Sequence, residues 1–142
     1  TYIGWGKSTQ LGHGLGLAMG TKVAKPDKLC INFMGDAAIG MTGMDLETAA
    51  RCNIGILTIV FNNGVMAIER QSMPTATEKF GPVFQTGDYR GVSRALGGWA
   101  ERVERPEEII PTVQQAIEAT QSGQPALVEV MVKEGFDFSK YP

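Results

Sequence analysis

The fold is decided by residues 29–64, which read LCINFMGDAAIGMTGMDLETAARCNIGILTIVFNNG. The short, mostly apolar run at 29–34 is typical of a strand buried in the middle of a parallel sheet. Residues 44–52 place apolar side chains at helical spacing, and 54–61 is a second apolar run rich in β-branched residues. Strand, helix and strand in succession predict a βαβ unit.

The rest of the chain continues this alternation. Before residues 29–64 we predict a loop followed by a closely packed, glycine-rich helix that ends at 24. After them we predict an irregular loop at 73–87, a short helix at 89–96 and a strand at 99–103. A helix then starts at Pro106, with its regular part after Pro111, and a strand follows at 126–132. We expect a single α/β domain over residues 1–142, built on an open, mostly parallel sheet with helices on both faces.

The composition excludes several classes of protein. With 43% hydrophobic and 20% charged residues, the chain is not intrinsically disordered. Its 13 Lys and Arg against 15 Asp and Glu give a net charge of −2, so neither nucleic acid nor an anionic membrane is an expected partner. Two cysteines are too few for a disulfide scaffold, which predicts a reducing compartment, the cytoplasm.

Polar residues follow both strands of the βαβ unit. Gly35-Asp36-Ala37-Ala38 ends the first strand, and Asn62-Asn63-Gly64 ends the second. If the strands are neighbours, about 4.8 Å apart, Asp36 and Asn63 can reach one ion. Carboxylate and amide oxygens suit Mg²⁺ or Ca²⁺ better than zinc, and phosphates and water usually complete the coordination of Mg²⁺. These residues therefore predict a Mg²⁺-diphosphate site, although a turn Asp and a turn Asn in capping roles explain the pattern as well.

Gly35-Asp36-Ala37 followed by Asn62-Asn63 resembles the diphosphate-binding motif of thiamine diphosphate enzymes. The segment 11–15, the glycine-rich helix, both strands and the closing helix and strand also follow in the order of that family. The resemblance covers nearly the whole chain. It is to the C-terminal, diphosphate-binding domain of the acetolactate synthase and 2-oxo-acid decarboxylase group.

The resemblance implies a set of site residues. Asp36, the side-chain oxygen of Asn63 and the carbonyl of Val65 would be the Mg²⁺ ligands. The residues implied to contact thiamine diphosphate are Gly35, Asp36 and Asn63 of the motif, the backbone of Ala37, Ala38 and Met66 at the diphosphate, and Thr9 and Leu11 at the aminopyrimidine ring. The bulky side chain of Leu11 also falls where the family bends the cofactor.

The resemblance further implies decarboxylation of a 2-oxo acid, with the cofactor accepting the electron pair. In an acetolactate synthase-like enzyme, carboligation to a second carbonyl compound follows. Glu69 matches the position at which pyruvate-type decarboxylases carry an acid for proton transfer, so a non-oxidative decarboxylase is the alternative. Glu69 on a solvated helix face is the simpler interpretation. A non-catalytic phosphate- or nucleotide-binding or regulatory subunit of the same fold is also open.

The family needs a glutamate that activates the pyrimidine ring, and this residue lies on a separate domain, usually of a second subunit. Nothing in residues 1–142 matches that domain. The resemblance therefore implies either a fragment of a longer enzyme, which we favour, or the smaller chain of a two-chain enzyme. It also implies a homodimer or homotetramer, and no activity for the isolated chain.

Overall fold

The computed structural model describes residues 1–4, 10–85 and 87–135. Its strands are β1 (Ile31–Gly35), β2 (Leu57–Asn62), β3 (Trp99–Val103) and β4 (Ala126–Met131). Its helices are α1 (His13–Ala24), α2 (Asp36–Thr42), α3 (Asp45–Arg51), α4 (Ala67–Ser72), α5 (Pro74–Phe80), α6 (Tyr89–Ala95) and α7 (Ile109–Gln121), with a 3₁₀ turn at Pro106–Glu108.

The four strands form one parallel sheet in the order β1-β2-β4-β3. Gly35 at the end of β1 is level with Phe61 of β2, and Asn62 is level with Met131 of β4. The carboxyl ends of β1 and β2 are therefore side by side, as the βαβ interpretation requires.

Two hydrophobic cores pack against opposite faces of the sheet. Alternate residues of β4 enter different cores, since Leu127 belongs to one and Val128 to the other. The first core joins the sheet to helices α1, α2, α3 and α6, and Leu15 and Leu46 are completely buried in it. The second joins the sheet to α7, mainly through Ala116. The predicted open parallel sheet with helices on both faces is confirmed.

Two expectations about the second half of the chain are wrong. The segment 73–87, expected to be an irregular loop, contains helix α5, because Pro74 occupies the first turn, where its missing N–H costs nothing. Gly81, with φ of 56°, then ends that helix in the left-handed region. Helix α7 begins at Ile109, ahead of Pro111, because Pro111 also lies in the first turn of its helix, where the N–H that proline lacks is not needed.

None of the helices in the described ranges is long and apolar enough to cross a membrane.

Candidate functional site

Asp36 lies where β1 passes directly into α2. Its side chain is buried, with the residue 3% exposed. One carboxylate oxygen, Oδ1, accepts the N–H of Ala37 at 2.8 Å, and the other, Oδ2, accepts the N–H of Gly64 at 2.8 Å. The second bond ties the end of β1 to the loop that follows β2. Asp36 and the Asn62-Asn63-Gly64 segment therefore meet at one point on the sheet edge.

The loop after β2 is held from both sides. Gly64 has a φ of 73°, which the chain needs in order to turn away from the strand and which favours glycine. Its carbonyl accepts the N–H of Gln85 at 2.9 Å, and the N–H of Met66 donates to Val83 at 2.8 Å. Val65 is buried and forms a β-bridge with Phe84. The backbone at 64–66 is therefore fixed before any ligand binds.

The two asparagines of the loop have different environments. Asn62 is 6% exposed, donates from Nδ2 to Glu129 at 2.7 Å, and accepts the Gly64 N–H at 3.0 Å. Asn63 is half-buried, and its Oδ1 accepts the Val65 N–H at 3.0 Å. An amide oxygen has two lone pairs, so Asn63 Oδ1 keeps one for a further partner. Asn63 is thus the asparagine that could contact a ligand.

Among the residues that the structure describes, Asp36 has no basic side chain as its partner. Within the described ranges, no lysine or arginine forms an ion pair with it. Burying a carboxylate without a counter-charge is unfavourable, so a cation beside Asp36 would stabilise the site. One acid, one amide and a backbone carbonyl form an oxygen donor set that fits Mg²⁺. Across the described residues there is no cluster of three or more His, Cys, Asp or Glu, so such a cation would depend partly on oxygens of its ligand.

The remaining predicted residues occupy several elements. Leu11 is 40% exposed, and the carbonyl of the next residue, Gly12, accepts the Thr42 hydroxyl at 3.0 Å, which holds this segment against α2. Glu69 is half-buried in the first turn of α4. Thr9 lies outside the described residues.

Two surface clefts lie away from Asp36 and Asn63. One of about 380 Å³ is lined by Arg90, Arg102, Glu104, Arg105 and Glu108. The other, of about 450 Å³, is lined by residues at the opposite end of the strands, such as Lys22 and Gly123. The candidate site is therefore not one of these two clefts.

Sequence reasoning missed a second buried carboxylate, Glu129 of β4. The residue is completely buried and accepts hydrogen bonds from Arg102 at 3.0 and 3.2 Å. These bonds raise the pKa of the Arg102 guanidinium, since they favour its charged form. The sequence did contain a signal for this network: Glu129 is the one charged residue of the apolar run ALVEVMV, and a glutamate buried in a strand requires a partner.

Comparison with known proteins finds relatives that cover most of this chain. An acetolactate synthase large subunit of Mycobacterium tuberculosis is 35% identical over 124 residues, which cover 85% of this chain and 22% of that protein. A 2-hydroxyacyl-CoA lyase of Oryza sativa subsp. japonica is 30% identical over 135 residues, covering 90% of this chain and 22% of that protein. The chain thus spans about a fifth of the length of these curated relatives.

A solved structure has the same fold. The thiamine diphosphate-dependent 4-hydroxybenzoylformate decarboxylase of Rhodococcus jostii RHA1 superposes with a TM-score of 0.71 at 26% identity, covering 91% of this chain and 24% of that one. The family model for the C-terminal TPP binding domain of thiamine pyrophosphate enzymes matches residues 1–130. With the site at the ends of β1 and β2, these matches show that the chain belongs to the thiamine pyrophosphate enzyme family, as its C-terminal TPP-binding domain.

Proposed function

We propose that the chain binds thiamine diphosphate through Mg²⁺, as part of an acetolactate synthase-like enzyme acting on 2-oxo acids. The observation that carries the proposal is the hydrogen bond from the Gly64 N–H to Asp36 Oδ2, which brings both halves of the motif to one point. The absence of a lysine or arginine ion pair to Asp36 in the described residues supports a cation there.

In this proposal Asp36, Asn63 Oδ1 and the Val65 carbonyl hold the cation. The backbone of Ala37, Ala38 and Met66 holds the diphosphate. The small side chains of Ala37 and Ala38 leave the backbone of the first turn of α2 approachable. The single N–H of Met66 donates to Val83, so Met66 would exchange this hydrogen bond for one to the diphosphate. Leu11 and Thr9 are proposed to contact the pyrimidine ring.

When bound, the cofactor supplies an electron sink for decarboxylation of a 2-oxo acid. The residues of this chain bind it, orient it and exclude water from it. Holding the diphosphate on a fixed cation sets the position of the rest of the molecule, so little further ordering is needed on the way to the transition state.

The carboligation branch is supported by the relatives. The acetolactate synthases of Mycobacterium tuberculosis and Aspergillus candidus share 35% and 36% identity with this chain, against 30% for the rice lyase. The half-buried position of Glu69, on the helix that follows the Val65 loop, keeps the decarboxylase with proton transfer by Glu69 as a second candidate.

The two reactions give different products. We expect the full-length protein to convert pyruvate mainly to a carboligation product, and Glu69→Gln to leave the ratio of that product to free aldehyde unchanged. A wild-type protein that releases mainly aldehyde, and loses this activity in Glu69→Gln, would instead assign proton transfer to Glu69. Chromatography of the reaction products measures the ratio, with Glu78→Gln on the exposed surface of α5 as the control.

We also propose that a pyrimidine-binding domain carrying the activating glutamate, usually on a second subunit, completes the site. The assembly would be a homodimer or homotetramer, and residues 1–142 alone should release no carbon dioxide from a 2-oxo acid. Free Cys30 and Cys52 are compatible with the reducing cytoplasm as its location.

Calorimetry of the full-length protein tests the class of ligand. With Mg²⁺ present, we expect thiamine diphosphate to bind and ATP not to compete with it. Preferential binding of ATP would favour a nucleotide-binding module of the same fold over the enzyme.

A further inference from the structure

Glu129 receives four hydrogen bonds although its side chain is completely buried. Oε1 accepts from Asn62 Nδ2 at 2.7 Å and from Arg102 Nη2 at 3.2 Å. Oε2 accepts from Arg102 Nε at 3.0 Å and from the backbone N–H of Arg90 at 3.2 Å. Both oxygens of the carboxylate therefore have hydrogen-bond donors, and its pairing with one guanidinium offsets the cost of burying it.

The guanidinium is itself anchored. Arg102 Nη2 also donates to Asp88 at 3.1 Å, and Asp88 accepts the Gly91 N–H at 3.1 Å as the N-cap of α6. Strand β3, strand β4 and the start of α6 thus fix the position of Glu129 together.

The chain of hydrogen bonds continues from Glu129 toward the cation site. Glu129 Oε1 accepts its hydrogen bond from Asn62, so the Asn62 amide turns its NH₂ group toward Glu129. Its oxygen then faces the Gly64 N–H, at 3.0 Å. The same N–H donates to Asp36 Oδ2 at 2.8 Å. The Gly64 peptide is therefore held by two acceptors, and Glu129 sets the orientation of one of them.

We propose that Glu129 is a positioning residue for the cation site: through the Asn62 amide, its buried carboxylate holds the Gly64 peptide in place between Asn63 and Val65, against Asp36. This inference rests on the proposed function, since it concerns the residues proposed to hold Mg²⁺. Glu129 itself contacts none of the proposed ligands, and it acts by fixing the loop that carries two of them.

The test measures cation binding directly. Full-length protein is freed of metal, saturated with thiamine diphosphate and titrated with Mn²⁺, and the EPR signal of free Mn²⁺ gives the affinity. Changes to groups that orient metal ligands typically weaken binding about 10–100-fold, and we expect this loss in Glu129→Gln. The matched control, Glu101→Gln, removes a carboxylate of β3 that pairs with Arg94 outside the network, and it should leave the affinity unchanged.

A second variant isolates the link. Asn62→Ala keeps the Glu129–Arg102 pair but removes its link to Gly64, so the affinity for Mn²⁺ should fall by the same factor as in Glu129→Gln. The double variant should lose no more than either single variant, because both changes break one chain of bonds. A role of Glu129 in stability alone would lower the unfolding midpoint and leave Mn²⁺ affinity intact.

The outcomes separate the two proposals. If wild-type protein binds no Mn²⁺ with thiamine diphosphate present, the proposed function fails, and this inference fails with it. If wild-type protein binds Mn²⁺ and both variants bind it equally well, the inference is overturned while the proposed function stands. Should Glu129→Gln not fold, Asn62→Ala decides, by losing affinity or by keeping it.

Discussion

Asp36 and Glu129 are both buried carboxylates, and they lie in one hydrogen-bonded network, yet their surroundings differ. Glu129 is paired with Arg102 and accepts four hydrogen bonds. Asp36 accepts two backbone N–H groups, and no lysine or arginine of the described residues pairs with it. Among the described residues, Glu129 thus has a cationic partner and Asp36 has none, which is why we propose a bound cation at Asp36 and not at Glu129.

Removing Asp36 should have the largest effect on ligand binding. In the full-length protein we expect Asp36→Ala to weaken Mg²⁺-dependent binding of thiamine diphosphate by more than about 100-fold, because a direct ligand contributes more than the groups around it. Calorimetry measures the loss. Asp45→Ala, an exposed change in the first turn of α3, is the control. Undiminished binding in Asp36→Ala would refute the ligand assignment.

In the absence of a cation, substituting Glu129 should destabilise the fold more than substituting Asp36, the reverse of the order expected for ligand binding. Glu129→Gln should lower the free energy of unfolding by about 2–4 kcal/mol, because Arg102 loses its buried partner. Asp36→Asn should cost less, about 1–2 kcal/mol, since no cation is left unpaired and only one of the two backbone N–H groups loses its acceptor. Denaturant unfolding in EDTA compares them. A larger loss of unfolding free energy in Asp36→Asn than in Glu129→Gln would contradict this distinction between the two carboxylates.

The neighbouring asparagines provide a matched pair within the same loop. Asn63→Ala should weaken Mn²⁺ binding about 10-fold or more while changing the free energy of unfolding by less than about 0.5 kcal/mol, because Asn63 is half-buried. Asn62→Ala should both weaken Mn²⁺ binding and lower the free energy of unfolding by about 1–3 kcal/mol, because buried hydrogen bonds are lost. Equal effects of both substitutions on stability would contradict the distinction between them.

Tyr89 of α6 reports on both carboxylates, with the smallest expected effect. Its burial, followed by the charges of Asp36 and Glu129, raises the pKa of its phenol. Asp36→Asn should therefore lower this pKa, as read from ultraviolet titration corrected with Tyr89→Phe. No change in the pKa would show that Asp36 does not act on Tyr89.

The same shift gives a pH dependence. A phenol whose pKa is higher in the folded than in the unfolded protein contributes stability below the unfolded pKa, about 10. That contribution is lost as the pH rises through the folded value. Tyr89→Phe should therefore reduce the fall in unfolding free energy above pH about 10, as measured by denaturant unfolding across that range.

The sheet and the position of the site were predictable because their signals are local. Apolar runs that end in polar residues mark the carboxyl ends of β1 and β2, and two neighbouring parallel strands then place Asp36 beside the Asn62-Asn63-Gly64 loop. Helix α2 gave no such signal, because the seven residues DAAIGMT are too few to repeat an apolar helical pattern. Helix α5 was hidden by Pro74 and Gly81, which mark its ends but suggest a loop.

The network around Glu129 could not be predicted for a different reason. Its partners Arg102 and Asn62 are 27 and 67 positions away along the chain. Only the order β1-β2-β4-β3, which places β4 between β2 and β3, brings the three side chains together. The single glutamate in β4 indicates that it has a partner, but the sequence does not identify that partner as Arg102 or Asn62.

The most direct measurement is the anomalous scattering of Mn²⁺ in crystals of the full-length protein grown with thiamine diphosphate. We expect a peak beside Asp36, Asn63 Oδ1 and the Val65 carbonyl oxygen, close to the distance of about 2.0–2.1 Å at which Mg²⁺ binds oxygen ligands. A fully occupied cofactor with no peak beside Asp36, or with its cation held by other residues, would contradict this assignment.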